Sequence, residues 1–199
     1  MRTIVTGASG FVGSNIAKVL ADRHGDTVIG DRVDMTDRAA VRGHVDASEA
    51  DAIVHCAILN DWARMNRDRE LAWAAYVEST RTYADAANER GIPFCLVSTD
   101  WVFDGSSPPA PAGEDEPPSP INAYGFLKAA SELVVAERAE RGSVARISGV
   151  QGLHRARPQA PRRQDAGFGY LVASIVDALR AGRRFSVWRG EQIDRKSTR

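Results

Sequence analysis

The chain has 199 residues, of which 43% are hydrophobic, and its 26 lysines and arginines balance its 26 aspartates and glutamates. This length suits one full globular domain and part of a second. The zero net charge gives no reason to expect nucleic acid or an acidic membrane as a partner, and no apolar run approaches the roughly 20 residues that a membrane-spanning helix needs.

Apolar segments of strand and helix character alternate along the chain. Nearly continuous apolar runs predict strands of a parallel sheet covered on both faces, and apolar residues at helical spacing predict the helices between them. Residues 104–120 are rich in proline, glycine, serine and acids and predict a loop. The alternation predicts an α/β fold with a doubly wound parallel sheet, the Rossmann fold. The predicted strands are 2–6, 27–30, 52–57, 93–98, 143–148 and 185–188, and the predicted helices are 11–23, 36–41 with Thr36 as its cap, 68–90, 122–141 and 168–181.

The two cysteines and the N-terminus bear on location. Cys56 and Cys95 lie in separate apolar runs and form no metal or disulfide pattern. Met1 leads straight into an apolar strand, which is not the pattern of a secretion signal. We therefore expect buried free thiols, no metal site and a reducing, cytoplasmic location.

A glycine motif follows the first predicted strand and opens the first helix. Gly7, Gly10 and Gly13 have the G-x-x-G-x-x-G spacing of a dinucleotide-binding turn. The first permits the tight turn, the second lets backbone approach a pyrophosphate, and the third lets the helix pack closely on the sheet. Phe11 and Val12 begin the helix, whose free N–H groups suit phosphates. The motif therefore predicts dinucleotide binding.

Two charged residues after the second predicted strand bear on the choice of cofactor. Asp31 follows Gly13 by 18 residues, near the spacing expected of the acid that binds the adenosine ribose. A carboxylate there would repel a 2′-phosphate and favours NAD, whereas the adjacent Arg32 could receive that phosphate and favours NADP. The sequence predicts NAD or NADP, with NAD favoured.

A tyrosine and a lysine form a Y-x-x-x-K pair on the helix predicted over 122–141. The spacing of Tyr124 and Lys128 places both side chains on one face. A nearby ammonium stabilises a phenolate, so we expect Lys128 to lower the pKa of Tyr124 toward neutrality. Such a phenol can pass a proton to a carbonyl oxygen while a nicotinamide delivers hydride. Thr99, at the end of the fourth predicted strand, could hydrogen-bond the same oxygen.

Three segments resemble the extended short-chain dehydrogenase/reductases, and within them the dTDP-4-dehydrorhamnose reductase-like, sugar nucleotide-binding subgroup. They are TGASGFVGSNIA from Thr6, STDWVFDG from Ser98 and PINAYGFLKAASE from Pro120. The STDWVFDG run is fairly specific to that subgroup, and the resemblance covers about residues 1–193.

The resemblance implies a set of site residues. It implies Thr99, Tyr124 and Lys128 as the catalytic triad, the last two also touching the cofactor. It adds residues near the adenine and beside the cofactor, which are Asp34, Met35, Cys56, Ala57 and Ile58.

The sequence departs from the subgroup at several points. Tyr76 stands where the family often has an asparagine in the long central helix, which puts in doubt a water-mediated relay to the lysine. Asp61 and Trp62 follow the third strand, and both substrate contact and simple packing are open. His55 is expected to be a core histidine. Residues of the basic stretch 152–165 that could reach a sugar or diphosphate are His154, Arg155, Arg157, Arg162 and Arg163.

Two functions follow from these patterns. The first is an NAD(P)-dependent oxidoreductase or epimerase/dehydratase that acts on a nucleotide-activated sugar and could form a homodimer. The second is a regulatory module that binds the dinucleotide or sugar nucleotide without efficient turnover. The expected organisation is a Rossmann domain over 1–150, the start of an incomplete substrate-binding lobe over 151–193, and a non-native tail over 194–199.

Overall fold

The computed structural model of the chain describes residues 1–106, 112–152, 154–156 and 171–185. Five strands form one parallel sheet, and they are β1 (Arg2–Thr6), β2 (Thr27–Ile29), β3 (Ala52–His55), β4 (Phe94–Thr99) and β5 (Gly142–Ile147). The strand order is β2-β1-β3-β4-β5. Successive strands are therefore added on one side of β1 and then, from β3 onward, on its other side. Ligands of such sheets bind at the carboxyl ends of the strands beside this reversal of strand order. The predicted α/β class and parallel sheet are confirmed.

Seven α-helices lie within the described residues. They are α1 (Phe11–His24), α2 (Arg38–Ser48), α3 (Trp62–Arg67), α4 (Arg69–Trp73), α5 (Ser79–Glu89), α6 (Ala123–Arg138) and α7 (Leu171–Arg180). None of these helices is long and apolar enough to cross a membrane.

The start of α2 differs from the prediction. Asp37 caps this helix, because its side chain accepts from the backbone N–H groups of Ala39 and Ala40 at 2.9 and 3.0 Å. Thr36 lies before the cap, and its hydroxyl donates to Asp34 Oδ1 at 2.7 Å. The predicted capping role of Thr36 and the short helix over 36–41 are therefore wrong.

The predicted helix over 68–90 is interrupted. A π-helical turn, Ala74–Glu78, separates α4 from α5. The carbonyl oxygen of Tyr76 in this turn accepts hydrogen bonds from the hydroxyls of Thr80 at 2.7 Å and Ser131 at 3.1 Å. Turns of this kind are rare and frequently occur at functional sites. The Tyr76 ring in this turn contacts Tyr124 of α6, as described below.

Two apolar clusters hold the elements that carry the candidate site. One cluster joins the sheet to α2, α5 and α6 and is centred on buried residues such as Ile4, Ile53 and Phe94. The other joins α3, α4 and the π-helical turn to α6. Deleting a buried side chain from such a cluster costs about 2–5 kcal/mol, so both clusters hold α6 firmly in place.

The C-terminal part of the chain is described only in pieces. Helix α7 agrees with the helix predicted over 168–181, and Val172, Val176 and Leu179 are exposed along it. The predicted strand 185–188 lies almost wholly outside the described residues, and the tail 194–199 lies wholly outside them. The division into domains stays a prediction.

Candidate active site

The glycine turn after β1 is shaped by close backbone contacts. Gly7 has a φ of +69°, and a Cβ there would lie 3.0 Å from the Cα of Ala57. A Cβ on Gly13 would lie 2.3 Å from the carbonyl oxygen of Gly7. The turn and the close packing of α1 therefore require glycine at both positions, as the motif predicts.

The N-terminus of α1 has no side-chain cap. Gly10 is the N-cap and has no side chain to cap the helix, and the first turn holds no acid. A Cβ on Gly10 would meet only the carbonyl oxygen of Gly7, at 3.1 Å. Phe11 and Val12 are half-buried and open the helix. An uncapped helix end beside a glycine turn fits the pyrophosphate of a dinucleotide, so this part of the structure fits the cofactor.

The segment after β2 carries four predicted cofactor residues. Asp31 and Arg32 are exposed and follow the end of β2 at Ile29 by two and three residues. Asp34 accepts from the backbone N–H and hydroxyl of Thr36, and these hydrogen bonds hold its pKa below the ordinary value. Met35 packs against the second apolar cluster.

A threonine that the sequence analysis did not single out joins the ends of β1 and β3. Thr6 Oγ1 accepts from the backbone N–H groups of Cys56 and Ala57, both at 3.0 Å. With both acceptor positions used, its hydroxyl proton goes to Nδ1 of His55, 2.8 Å away. Burial, and then the charge of Lys128, lower the pKa of His55 to about 3. His55 is therefore a neutral core histidine, as predicted, and Thr6 positions the backbone beside the predicted cofactor site.

The three residues after β3 lie at the edge of this site. Ile58 is exposed, and Cys56 and Ala57 are half-buried. Cys56 and Cys95 are free thiols, half-buried where full burial was expected. Burial raises the pKa of the Cys56 thiol to about 12, so this group is neutral at ordinary pH. The described residues hold no cluster of three potential metal ligands.

Tyr124 lies within an aromatic cluster. The ring centroids of Trp62, Tyr76 and Trp101 lie 5.3, 5.8 and 5.9 Å from that of Tyr124, all edge to face. The Tyr76 hydroxyl donates to the carbonyl oxygen of Leu59 at 3.2 Å. Tyr76, which replaces the expected asparagine, therefore packs directly on the predicted catalytic ring.

The phenol of Tyr124 is protonated at neutral pH. Burial raises its pKa to about 12, the nearby Asp100 carboxylate adds to the rise, and hydrogen bonding to Thr99 opposes it. The expectation that Lys128 lowers the pKa of Tyr124 toward neutrality is wrong, because burial raises that pKa and the side chains that shift it are Asp100 and Thr99. The Thr99 hydroxyl itself lies 3.2 Å from Asp100 Oδ1, to which it donates.

Lys128 follows Tyr124 by one turn of α6 but bonds to the sheet. The residue is only 3% exposed, and Nζ donates to the carbonyl oxygen of Val97 at 2.6 Å. Burial lowers the pKa of Lys128 to about 8, whereas Cys56 and Glu132 act to raise it. The ammonium is thus charged at neutral pH and is held at the β4 side of the site.

The position of helix α6 depends on Gly125, a glycine outside the dinucleotide motif that sequence analysis missed. A Cβ on Gly125 would lie 2.0 Å from the carbonyl oxygen of Trp101. Asn122 caps the helix by accepting from the Gly125 N–H at 2.8 Å. This contact brings Tyr124 against the end of β4, where Thr99 lies. The signal in the sequence was a glycine inside a helix, which usually has a packing reason.

The structure describes two of the five basic candidates after β5. His154 is buried, and its ring lies edge to face with Phe11 at 6.0 Å and its Nδ1 lies 3.4 Å from Ser14 Oγ. It therefore packs on α1 rather than facing solvent. Arg155 is exposed. Three candidates lie outside the described residues, and they are Arg157, Arg162 and Arg163.

The residues described above share one edge of the sheet. The glycine turn follows β1, Cys56 follows β3, and Thr99 ends β4, so all lie at the carboxyl ends of parallel strands. With a Y-x-x-x-K pair packed on that edge, the chain is a Rossmann-fold protein of the short-chain dehydrogenase/reductase class. It belongs to the RmlD substrate binding domain family, whose model matches residues 1–157.

The chain is also similar in sequence and structure to individual proteins. A dTDP-4-keto-6-deoxy-D-glucose reductase from Streptomyces niveus is 33% identical over 156 residues, covering 77% of this chain and 54% of the relative. Methionine adenosyltransferase 2 subunit beta from Danio rerio is 30% identical, covering 73% of this chain and 47% of the relative. The crystal structure of a dTDP-4-dehydrorhamnose reductase from Bacillus anthracis in complex with NADP is 29% identical, with a TM-score of 0.68, covering 75% of this chain and 54% of that chain. The chain spans about half the length of these relatives.

Proposed function

We propose that this chain carries the cofactor-binding and catalytic part of an NAD(P)-dependent reductase that acts on a ketone of a nucleotide-activated sugar. The observation that carries the proposal is the protonated phenol of Tyr124, held against Thr99 at the edge of the sheet that bears the dinucleotide cradle. A protonated phenol can donate the proton that the reduction of a ketone requires. The kind of substrate is taken from the named reductases among the relatives. Epimerase or dehydratase chemistry stays a prediction.

The residues of the chain divide the work among them. The turn at Gly7 and the N-terminus of α1 hold the pyrophosphate of the dinucleotide. The nicotinamide, when bound, supplies or accepts hydride. Thr99 hydrogen-bonds the ketone oxygen, and Tyr124 gives that oxygen its proton. The charged Lys128 then stabilises the phenolate that remains.

The choice between NAD and NADP belongs to the same proposal. Asp31 and Arg32 are both exposed after β2, so neither is committed to another role by burial. A carboxylate repels a 2′-phosphate and a guanidinium attracts one. We favour NAD because Asp31 is nearer to the end of β2.

The substrate side of the proposed site includes an exposed tryptophan. Trp62 is 43% exposed beside the Tyr124 ring and offers an apolar surface to a sugar. In this proposal residues 1–150 bind the cofactor, and 151–193 begin the part that binds the nucleotide sugar. A homodimer and a cytoplasmic location stay predictions.

A binding module without efficient turnover is the second candidate. Two observations favour it, namely the ring of Tyr76 packed on Tyr124 and the Lys128 ammonium bonded to Val97. The similarity to a methionine adenosyltransferase beta subunit points the same way. The retained Thr99, Tyr124 and Lys128 favour the enzyme.

A substrate screen separates the two candidates. Nucleotide sugars that carry a ketone, with dTDP-4-keto-6-deoxy-D-glucose first among them, are mixed with the protein and NADH or NADPH, and consumption of the reduced cofactor is followed. The reductase predicts consumption with at least one sugar. Cofactor binding without consumption for any sugar would support the binding module instead.

A further inference from the structure

A buried carboxylate joins three elements behind the predicted catalytic residues. Glu132 lies on α6, its residue is only 6% exposed, and it accepts a hydrogen bond from the Ser98 hydroxyl of β4. Arg146 of β5 binds the same carboxylate through two nitrogens, with Nε 3.1 Å and Nη2 2.8 Å from Oε2. Paired donors of this kind fix both the position and the charge of a carboxylate.

Glu132 lies one helical turn after Lys128, and its charge acts to raise the pKa of that lysine. Glu132 follows Lys128 by four residues, so both side chains project from one face of α6. Ser98, its partner, lies between Val97, which accepts from Lys128, and Thr99. The Glu132 network and the Lys128 contact therefore meet on the same stretch of β4.

Few charged groups act on Lys128 besides this one. From β3 and the residue after it, His55 and Cys56 interact with Lys128, and both are neutral at ordinary pH because burial lowers the pKa of the imidazole and raises that of the thiol. From α6 itself, Tyr124 is also neutral. Cys56 and Glu132 are the two side chains that act to raise the pKa of Lys128, and since Cys56 is neutral at ordinary pH, the effect comes mainly from the Glu132 carboxylate.

We propose that Glu132 is a positioning residue for the reaction, and that its carboxylate, fixed by Ser98 and Arg146, keeps Lys128 in its charged form. Lys128 is buried, so desolvation alone favours the neutral amine. A neutral amine could not stabilise the phenolate of Tyr124. The inference deepens the proposed function and rests on it for its catalytic meaning.

Arg146 extends the network to the loop that follows β4. Its Nη1 lies 3.2 Å from the carbonyl oxygen of Glu116, and its guanidinium carbon lies 5.0 Å from the centre of the Phe103 ring. The arginine is thus held by groups other than Glu132. Its positive charge partly neutralises the Glu132 carboxylate. Removing Arg146 should therefore strengthen the attraction between Glu132 and the Lys128 ammonium.

The chain is well suited to a direct test, because it has only three lysines, Lys18, Lys128 and Lys196. Protein labelled with ¹³C at the lysine ε-carbon gives a small number of NMR signals whose shifts report ionisation. Lys128→Met identifies the signal of Lys128, and Lys18 serves as an internal reference in every variant. The measurement needs no substrate and no cofactor.

Two variants are expected to move the titration of Lys128 in opposite directions. Glu132→Gln keeps the shape and removes the charge, so the midpoint should fall by about one pH unit, the lower end of the effect of a close charge. Arg146→Gln should raise the midpoint, since the carboxylate is no longer neutralised. Glu137→Gln makes the same chemical change at an exposed position of α6 and should leave the midpoint unchanged.

The outcomes keep this inference apart from the proposed function. An unchanged midpoint in folded Glu132→Gln, or a fall in Arg146→Gln, would overturn the role of Glu132. With an active protein, Glu132→Gln should also move the alkaline limit of turnover to lower pH. Absence of turnover in the unaltered chain would count against the reductase and leave the lysine titration valid.

Discussion

Replacing Gly125 by alanine is expected to damage catalysis much more than cofactor binding. The added Cβ would lie 2.0 Å from the carbonyl oxygen of Trp101 and 2.9 Å from its carbonyl carbon. Real Cβ atoms essentially never lie within 3.0 Å of another heavy atom, so α6 must move away from the end of β4 by at least about 1 Å. Overpacking of this kind costs about 1–3 kcal/mol of stability. A displacement of that size in a reacting group costs about 100-fold in rate.

The assay compares Gly125→Ala with a matched glycine variant. Gly43 lies inside α2, and a Cβ there meets nothing within 4 Å. Gly43→Ala should therefore stabilise the protein by about 0.5–1 kcal/mol and leave turnover unchanged. Urea unfolding gives the stability, NADH titration the binding, and consumption of NADH or NADPH the rate. The reasoning is refuted if Gly125→Ala is as stable and as active as Gly43→Ala.

Three further changes test other parts of the site. Gly10→Val should weaken binding of NADH at least tenfold, because the added side chain occupies space where a pyrophosphate meets the α1 N-terminus. Unchanged affinity in a fluorescence titration would show that the pyrophosphate does not bind there. Asp31→Ala should weaken NAD more than NADP, and the opposite change would show that Arg32 determines the preference. Stability should fall as the pH drops from about 6.5 toward 3, because burial lowers the pKa of His55 to about 3 and the unfolded chain takes up a proton first. The slope from this group approaches about 1.4 kcal/mol per pH unit, and denaturant unfolding of His55→Gln should show a flatter pH profile than the parent protein.

The backbone architecture was predictable because its signals are local. The glycine turn, the apolar strands and the Y-x-x-x-K pair each occupy a short stretch, and the structure places them where parallel α/β folds place ligands. Gly7 and Gly13 show the point well, since the backbone contacts that demand glycine lie within the motif or just beyond β3. Packing of His55 was predictable for the same reason, as it lies in the middle of an apolar run.

The electrostatics of the site were not predictable, because they depend on partners distant in sequence. The pKa of Tyr124 rises through burial by rings from three other segments, which no local pattern encodes. Lys128 bonds to a carbonyl 31 residues away, and Glu132 reaches Ser98 over 34 residues. The π-helical turn at Tyr76 was not predictable either, because one extra residue in a turn hardly changes the helical spacing of the apolar residues.

The most direct test of the central claim compares the chain with Tyr124→Phe. The change removes one hydroxyl and keeps the ring and its aromatic contacts. Consumption of the reduced cofactor with a ketone-bearing nucleotide sugar should fall by about 10²–10⁴-fold, while titration shows unchanged binding of NADH or NADPH. Full activity in Tyr124→Phe would contradict the assignment of Tyr124 as the proton donor.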